Sequence, residues 1–114
     1  MTGESYAGHY IPAYSLAMKK AGTFNLKASL IGDPSTSGLT QKTMMHIIPE
    51  ALDILDDNDM QQIVAMRKNC QEELYADFEN AHNVCSDIMN YIKAISGGVN
   101  NYDFRIFDED WAPY

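Results

Sequence analysis

Residues 2–12 read TGESYAGHYIP, and the fold turns on the serine near their start. Ser5 has Gly3 two positions before it and Ala7 two positions after it. A serine presented on a sharp strand-to-helix turn needs small residues at those places, because the turn is strained and longer side chains would collide. The pattern ordinarily takes Gly at the second of them, so Ala7 is a departure, and Gly8 offers the next close approach of the helix to its surroundings. A bare Gly-x-Ser-x-small string also fits ordinary turns, so the flanking sequence has to decide.

Outward from that turn, Ala7, Tyr10, Ile11, Tyr14, Ala17 and Met18 recur at the three-four spacing of a helix with one buried stripe. Pro12 predicts a kink in it. Gly22 predicts its end, and Lys19 and Lys20 suit the negative pole there. In FNLKASLIG (24–32), Phe24, Leu26, Ala28 and Leu30 alternate and Ile31 extends the apolar end, which predicts a strand. GDPSTSG (32–38) gathers loop formers. Turn, helix, strand and loop together predict one α/β unit of a larger parallel sheet over residues 1–38.

From Thr40 to Ser96 the pattern is helical. TQKTMMHIIPEALDIL (40–55) comes first, then DDND (56–59), whose Asp residues can cap the next helix. Beyond it, Met60, Ile63, Val64, Arg67, Cys70, Leu74, Phe78, Ala81, Cys85, Ile88, Ile92 and Ile95 recur every three or four residues up to Gly97 and Gly98, and Arg67 alone among them is charged. Such a run far exceeds the average helix of about 11–12 residues. It predicts a turn near Asn80, His82 and Asn83 and hence a helical hairpin. The tail NNYDFRIFDEDWAPY (100–114) has no clear period and predicts extended or irregular chain. The fold class is thus α/β at the start and mostly helical as a whole.

Composition narrows the function. A chain of 114 residues, 46% hydrophobic and 21% charged, suits one modest globular core. Its 8 basic against 16 acidic residues, net charge -8, repel a phosphate backbone, so nucleic acid is excluded as a partner. No apolar run approaches the roughly 18–20 residues of a membrane span. The opening residues carry no signal peptide, and no Asn-x-Ser/Thr site is present. Cys70 and Cys85 leave free thiols, one bridge, or bridges to other segments all open. A straight helix would hold them about 22 Å apart, while a disulfide needs Cα atoms within about 7 Å, so they can pair only if the chain reverses between them.

GESYAGHYIP (3–12) resembles, residue for residue, the active-site signature of the serine carboxypeptidases, an α/β-hydrolase family that removes C-terminal residues from peptides. The likeness continues collinearly. NLKASLIGDP (25–34) is similar to the family's next strand, with Ala28 and Asp33 departing from it. TQKTMMHIIPEALDILDDND (40–59) resembles the start of the helical insertion over the active site, and NNYDFR (100–105) the Asn-x-Tyr-Asp-x-Arg that follows it.

The resemblance implies an internal segment of such an enzyme: 1–38 a piece of the hydrolase core, 39–98 the helical lid, and 99–114 a return toward the core. It makes Ser5 the nucleophile, with the backbone N–H of Tyr6 in the oxyanion hole. Gly3 and Gly8 are the glycines of the turn. Glu4 matches the acid that hydrogen-bonds the substrate's terminal carboxylate. Two carboxylates share a site only when one holds a proton, so the resemblance also implies an acid optimum. It implies no cofactor and no metal, peptide or protein C-termini as substrates, and a lysosomal, vacuolar or secreted protein. Its lid carries disulfides, which implies oxidised Cys70 and Cys85, paired with each other or with other segments.

In this family the triad runs Ser, acid, His, and the sequence ends before the positions of the last two. His9 sits one helical turn from Ser5, where it reads as a packing residue. His46 and His82 read as surface or hairpin residues. Asp53, Asp56, Asp57 and Asp59 read as a solvated face and helix cap. The expectation is a chain that is inactive alone and works only with other segments of the same parent. The alternatives are an acyltransferase built on the same turn, or a non-catalytic relic or interaction module using the helical hairpin.

Overall fold

In the computed structural model, residues 1–110 are described, apart from the side chains of Phe78 and Asp110. The chain packs as two units, Met1–Gly38 and a second that begins at Leu39. The described part is mostly helical, with one two-stranded parallel sheet.

In the first unit, β1 (Thr2–Glu4) runs into α1 (Ala7–Ala21), and β2 (Leu30–Gly32) returns parallel to β1 with Gly3 opposite Ile31. α1 ends where Gly22 takes a left-handed φ of 69° and its N–H caps the Met18 carbonyl, with Lys19 and Lys20 in the last turn. Pro12 lies inside α1, and the helix continues past it. The strand predicted within 24–32 shortens to β2. Its partner offers β1 and Met1, whose carbonyl accepts from the Leu30 N–H at 3.0 Å and whose ammonium donates to the Ala28 carbonyl at 2.9 Å, so Phe24 to Lys27 have no neighbouring strand among the described residues. The buried stripe of α1 is narrower than predicted for the same reason. Ile11 and Gly8 are buried, while Tyr10 and Tyr14 stay 55% and 59% exposed, because two short strands cover one line of the helix.

The second unit begins with two short helices, α2 (Gly38–Thr43) and α3 (Ile47–Ala51), where the sequence showed one continuous helical pattern. Pro49 falls in the first turn of α3, where its missing N–H costs nothing. Two long helices follow, α4 (Asp57–Ala76) and α5 (Phe78–Ser96). Asp56 opens α4 with a capping box: its carboxylate accepts from the Asn58 and Asp59 N–H groups, and Asp59 answers to the Asp56 N–H.

The reversal predicted near Asn80, His82 and Asn83 occurs earlier, at Asp77 alone. That residue ends α4 in an extended conformation and starts α5 by accepting from the Glu79 and Asn80 N–H groups. One carboxylate at the bend satisfies the orphan donors of the new helix, which the Asn and His residues farther on do not.

The hairpin closes on a core of Leu55, Ile63, Cys70, Ala81, Cys85, Ile88, Ile92 and Val99, with Met45, Met60, Met66 and Met89 packed against it. Val64 and Ile95, assigned to the same stripe, are exposed instead. Cys70 and Cys85 are joined in a disulfide with Cα atoms 4.7 Å apart. Past Gly97, the tail folds back through a bridge between Val99 and Phe107 to a short 3-10 turn at Asp108–Asp110, and Trp111 to Tyr114 lie outside the described residues. Asn100, fully buried, organises this return. Its side-chain oxygen accepts from the Tyr102 and Asp103 N–H groups, its amide donates to Asp108, and Asp108 pairs with Lys93 at 2.6 Å. Asp103 accepts three hydrogen bonds from Arg105, two from its guanidinium and one from its backbone N–H, which hold its carboxyl down at about 2.

His46 departs from its predicted surface position: at 4% exposure it is buried where α2 turns into α3. Burial and the positive charge of Arg67 lower its pKa from 6.5, against a weaker opposite pull from Glu50, 3.9 Å away.

Two expectations follow from these contacts. The disulfide spans 15 positions, and a closed loop of that size is worth about 3 kcal/mol. Reduction should therefore lower the urea midpoint of unfolding by a corresponding amount, and an unchanged midpoint would remove the bridge from the stability of the hairpin. His46 stays neutral in the fold at pH values where the unfolded chain already binds a proton. The stability it contributes is whole above about pH 6.5 and drains as pH falls through its lowered pKa. His46→Gln should flatten that part of the stability curve, and an unaltered slope would contradict the assignment.

Candidate active site

The turn between β1 and α1 places Ser5 at a φ of 57°, in the left-handed region that a side chain other than Gly seldom adopts. Three backbone hydrogen bonds hold it there. The Ser5 N–H donates to the Gly32 carbonyl at 3.1 Å, and its own carbonyl accepts from Gly8 at 3.0 Å and from Ser35 at 2.9 Å. The end of β2 and the loop behind it thus grip the serine from the side opposite the helix. These two anchors, Gly32 and Ser35, were not singled out from the sequence. The signal lay in GDPSTSG, a loop too rich in special residues to be a plain connector.

The small residues are required by contact. A Cβ on Gly3 would stand 2.5 Å from the Ala7 Cβ and 2.8 Å from Ile11 Cδ1. One on Gly8 would strike the Ser35 carbonyl oxygen and come within 2.9 Å of Pro34 Cβ. Gly8 therefore meets the loop after β2, and Gly3 meets the helix.

Glu4, Ser5 and Tyr6 are all exposed. Tyr6 precedes the first residue of α1, where the opening N–H groups of a helix have no carbonyl of their own turn to meet. The Tyr6 ring packs against His9, centroids 4.6 Å apart, and against Tyr10 at 5.1 Å. His9 is thus occupied in ring packing on α1, and no histidine or carboxylate hydrogen-bonds the Ser5 hydroxyl among the described residues. His82 lies exposed on α5, with Nδ1 3.4 Å from the Lys42 ammonium. Asp56 caps α4, and Asp59 accepts the Tyr91 hydroxyl at 2.8 Å. Among the described residues, no group of three or more His, Cys, Asp or Glu could hold a metal ion, and no helix is long and apolar enough to cross a membrane.

A serine held in a left-handed turn between a strand and the start of a helix has the backbone geometry of a nucleophile elbow. Comparison with known proteins gives the family. The family model for serine carboxypeptidases matches residues 1–110. Serine carboxypeptidase S10 family member 1 of Dictyostelium discoideum is 31% identical over 106 residues, covering 89% of this chain and 26% of that protein. Serine carboxypeptidase 3 of Hordeum vulgare is 31% identical over 118 residues, covering 92% of this chain and 23% of its own length. Carboxypeptidase Y homolog A of Talaromyces stipitatus is 51% identical over 43 residues, 36% of this chain and 8% of that protein. The chain spans about a quarter of the length of the curated relatives that it matches along most of its own. No solved structure matches it significantly. On the strength of the match along nearly its whole length, the chain belongs to the serine carboxypeptidase family.

Proposed function

We propose that this sequence supplies the nucleophile of a serine-type carboxypeptidase, within an α/β-hydrolase core to which residues 1–38 contribute. Residues 39–98 would form its helical lid and 99–114 the return to the core. The observation that carries this reading is the left-handed Ser5, fixed by hydrogen bonds from both flanks and by two glycines that admit no Cβ. A turn that strained at an exposed serine has no evident structural use, and strain of this kind gathers at reactive sites.

In this mechanism the Ser5 hydroxyl attacks the carbonyl carbon of the last peptide bond while a histidine from another segment of the enzyme takes its proton. That histidine is held in place by the triad's acid, which also comes from outside this sequence. The negative oxygen of the tetrahedral intermediate accepts from the Tyr6 N–H and from a second donor elsewhere. Collapse breaks the C–N bond, the histidine returns the proton to the leaving amine, and the C-terminal amino acid departs, leaving the acyl ester on Ser5. Water, deprotonated by the same histidine, then hydrolyses the ester.

Glu4 sits next to the nucleophile and gives the exopeptidase its selectivity, by sharing one proton with the substrate's terminal carboxylate. Peptide C-termini are the substrate class, and an acidic compartment such as a lysosome, vacuole or secretory space is the setting that keeps that proton in place.

Two outcomes test this in the complete protein that carries the sequence. It should release single amino acids from a peptide with a free C-terminus, and Ser5→Ala should lower kcat by about 10^4 or more. Acyl exchange to an added alcohol in preference to water would instead make it an acyltransferase. KM for the free-acid peptide should rise from pH 5 to pH 8 in the native protein and stay nearly flat in Glu4→Gln, whose amide donates at any pH. The same rise in both would take Glu4 out of the carboxylate site.

A further inference from the structure

Within the helical unit, α2 and α4 enclose a cleft of about 470 Å³ whose lining includes Leu39, Met44, Val64, Arg67, Lys68 and Gln71. Leu39, Met44 and Val64 are large apolar residues left exposed, and all of them converge on this one place. Scattered exposed apolar side chains need no explanation, but a concave cluster rimmed by charge marks a binding surface.

The charge at the rim is unusual for this chain. Against a net charge of -8, the cleft presents two adjacent cations and no carboxylate in its lining. Arg67 interrupts an otherwise apolar stripe along α4. Its Nη2 donates at 3.2 Å to the sulfur of Met44, a weak acceptor, and its Nε is buried with no hydrogen-bond partner among the described residues. No ion pair to Arg67 is formed among the described residues, and its charge is felt by His46. Lys68 reaches Glu72 only at 3.9 Å, both groups largely in solvent, which is a weak pair and leaves the ammonium available. A half-buried guanidinium without an anion is costly, and the planar fork of Arg suits a carboxylate's two oxygens.

We propose that this cleft binds an aliphatic carboxylate: the acid group meets Arg67 and Lys68, and the apolar body lies on Leu39, Met44 and Val64. A single negative charge suits the site better than a phosphate dianion, because the acidic chain around it repels the second charge and the apolar walls give a phosphate nothing to bury.

The test is a titration of the protein labelled with 15N-arginine, following the Arg67 Nε–H cross-peak, which Arg67→Lys identifies by removing it. 4-Methylpentanoate should shift that peak saturably, and 4-methylpentanamide, the same body without the charge, should not. N-acetyl-Leu-Asp-amide, whose carboxylate is a side chain, separates the sources: a shift with both acids means that a free acid suffices, and a shift with the peptide alone means that the ligand is an acidic peptide. Val64→Asp, at an exposed position one turn before Arg67, supplies the missing carboxylate within the chain. It should weaken binding by about tenfold or more, with the fold checked by the other arginine and amide peaks. No saturable shift with either acid, an equal response to the amide, or an equal response to inorganic phosphate overturns the proposal.

Discussion

The left-handed backbone of Ser5 is the constraint on which the first unit depends. A residue with a Cβ pays about 1–2 kcal/mol to sit there, so the conformation persists only because its surroundings fix it. The Ser5 N–H and carbonyl are both taken, by Gly32 on one side and by Gly8 and Ser35 on the other. Those partners are reachable only if helix and loop come closer than a side chain allows, which is why Gly3 and Gly8 are glycines. The parallel register of β1 and β2 then follows, because Gly32 has to stand opposite Glu4 for its carbonyl to meet the next N–H. What results is a hydroxyl on the outside of a rigid bend, beside a helix start that attracts negative charge.

The helical unit rests on a different device, a reversal made in a single residue. Asp77 closes α4 and caps α5, so two long helices turn back on each other almost without a loop. The disulfide ties α4 to α5 inside the core that the two helices share. Its role is to restrict the unfolded chain, while Ile63, Ile88 and Ile92, fully buried, supply the favourable burial. The tail adds to this by hydrogen bonds: Asn100 gathers a turn, and Asp108 ties it to Lys93 on α5.

Local sterics were the most legible part of the sequence. Ser5 between Gly3 and Ala7 states its conformation within a few residues, as do the Gly22 and Gly97 helix ends and the Asp56 cap. Properties set by distant partners were not. The length of the helical run predicts a turn near Asn80, His82 and Asn83, yet antiparallel helices that join Cys70 to Cys85 must turn halfway between them, which is Asp77. The exposure of Tyr10 and Tyr14 depends on how much sheet lies under α1, and no periodicity reports that. His46 followed its polarity in the sequence reading and its neighbours in the fold. Of the candidate site, the tight turn at Ser5 and the need for small residues at Gly3 and Gly8 were legible in the sequence, while the backbone anchors at Gly32 and Ser35 required the fold.

The claim that Ser5 is held for nucleophilic attack is tested most directly by a fluorophosphonate, which bonds only to an activated hydroxyl. The complete protein carrying this sequence would be treated with the reagent and its adduct located by peptide mass, with Ser5→Ala alongside. The account predicts one adduct, on the peptide that contains Ser5, and none in the variant. An adduct on another residue, or one that survives Ser5→Ala, would contradict it.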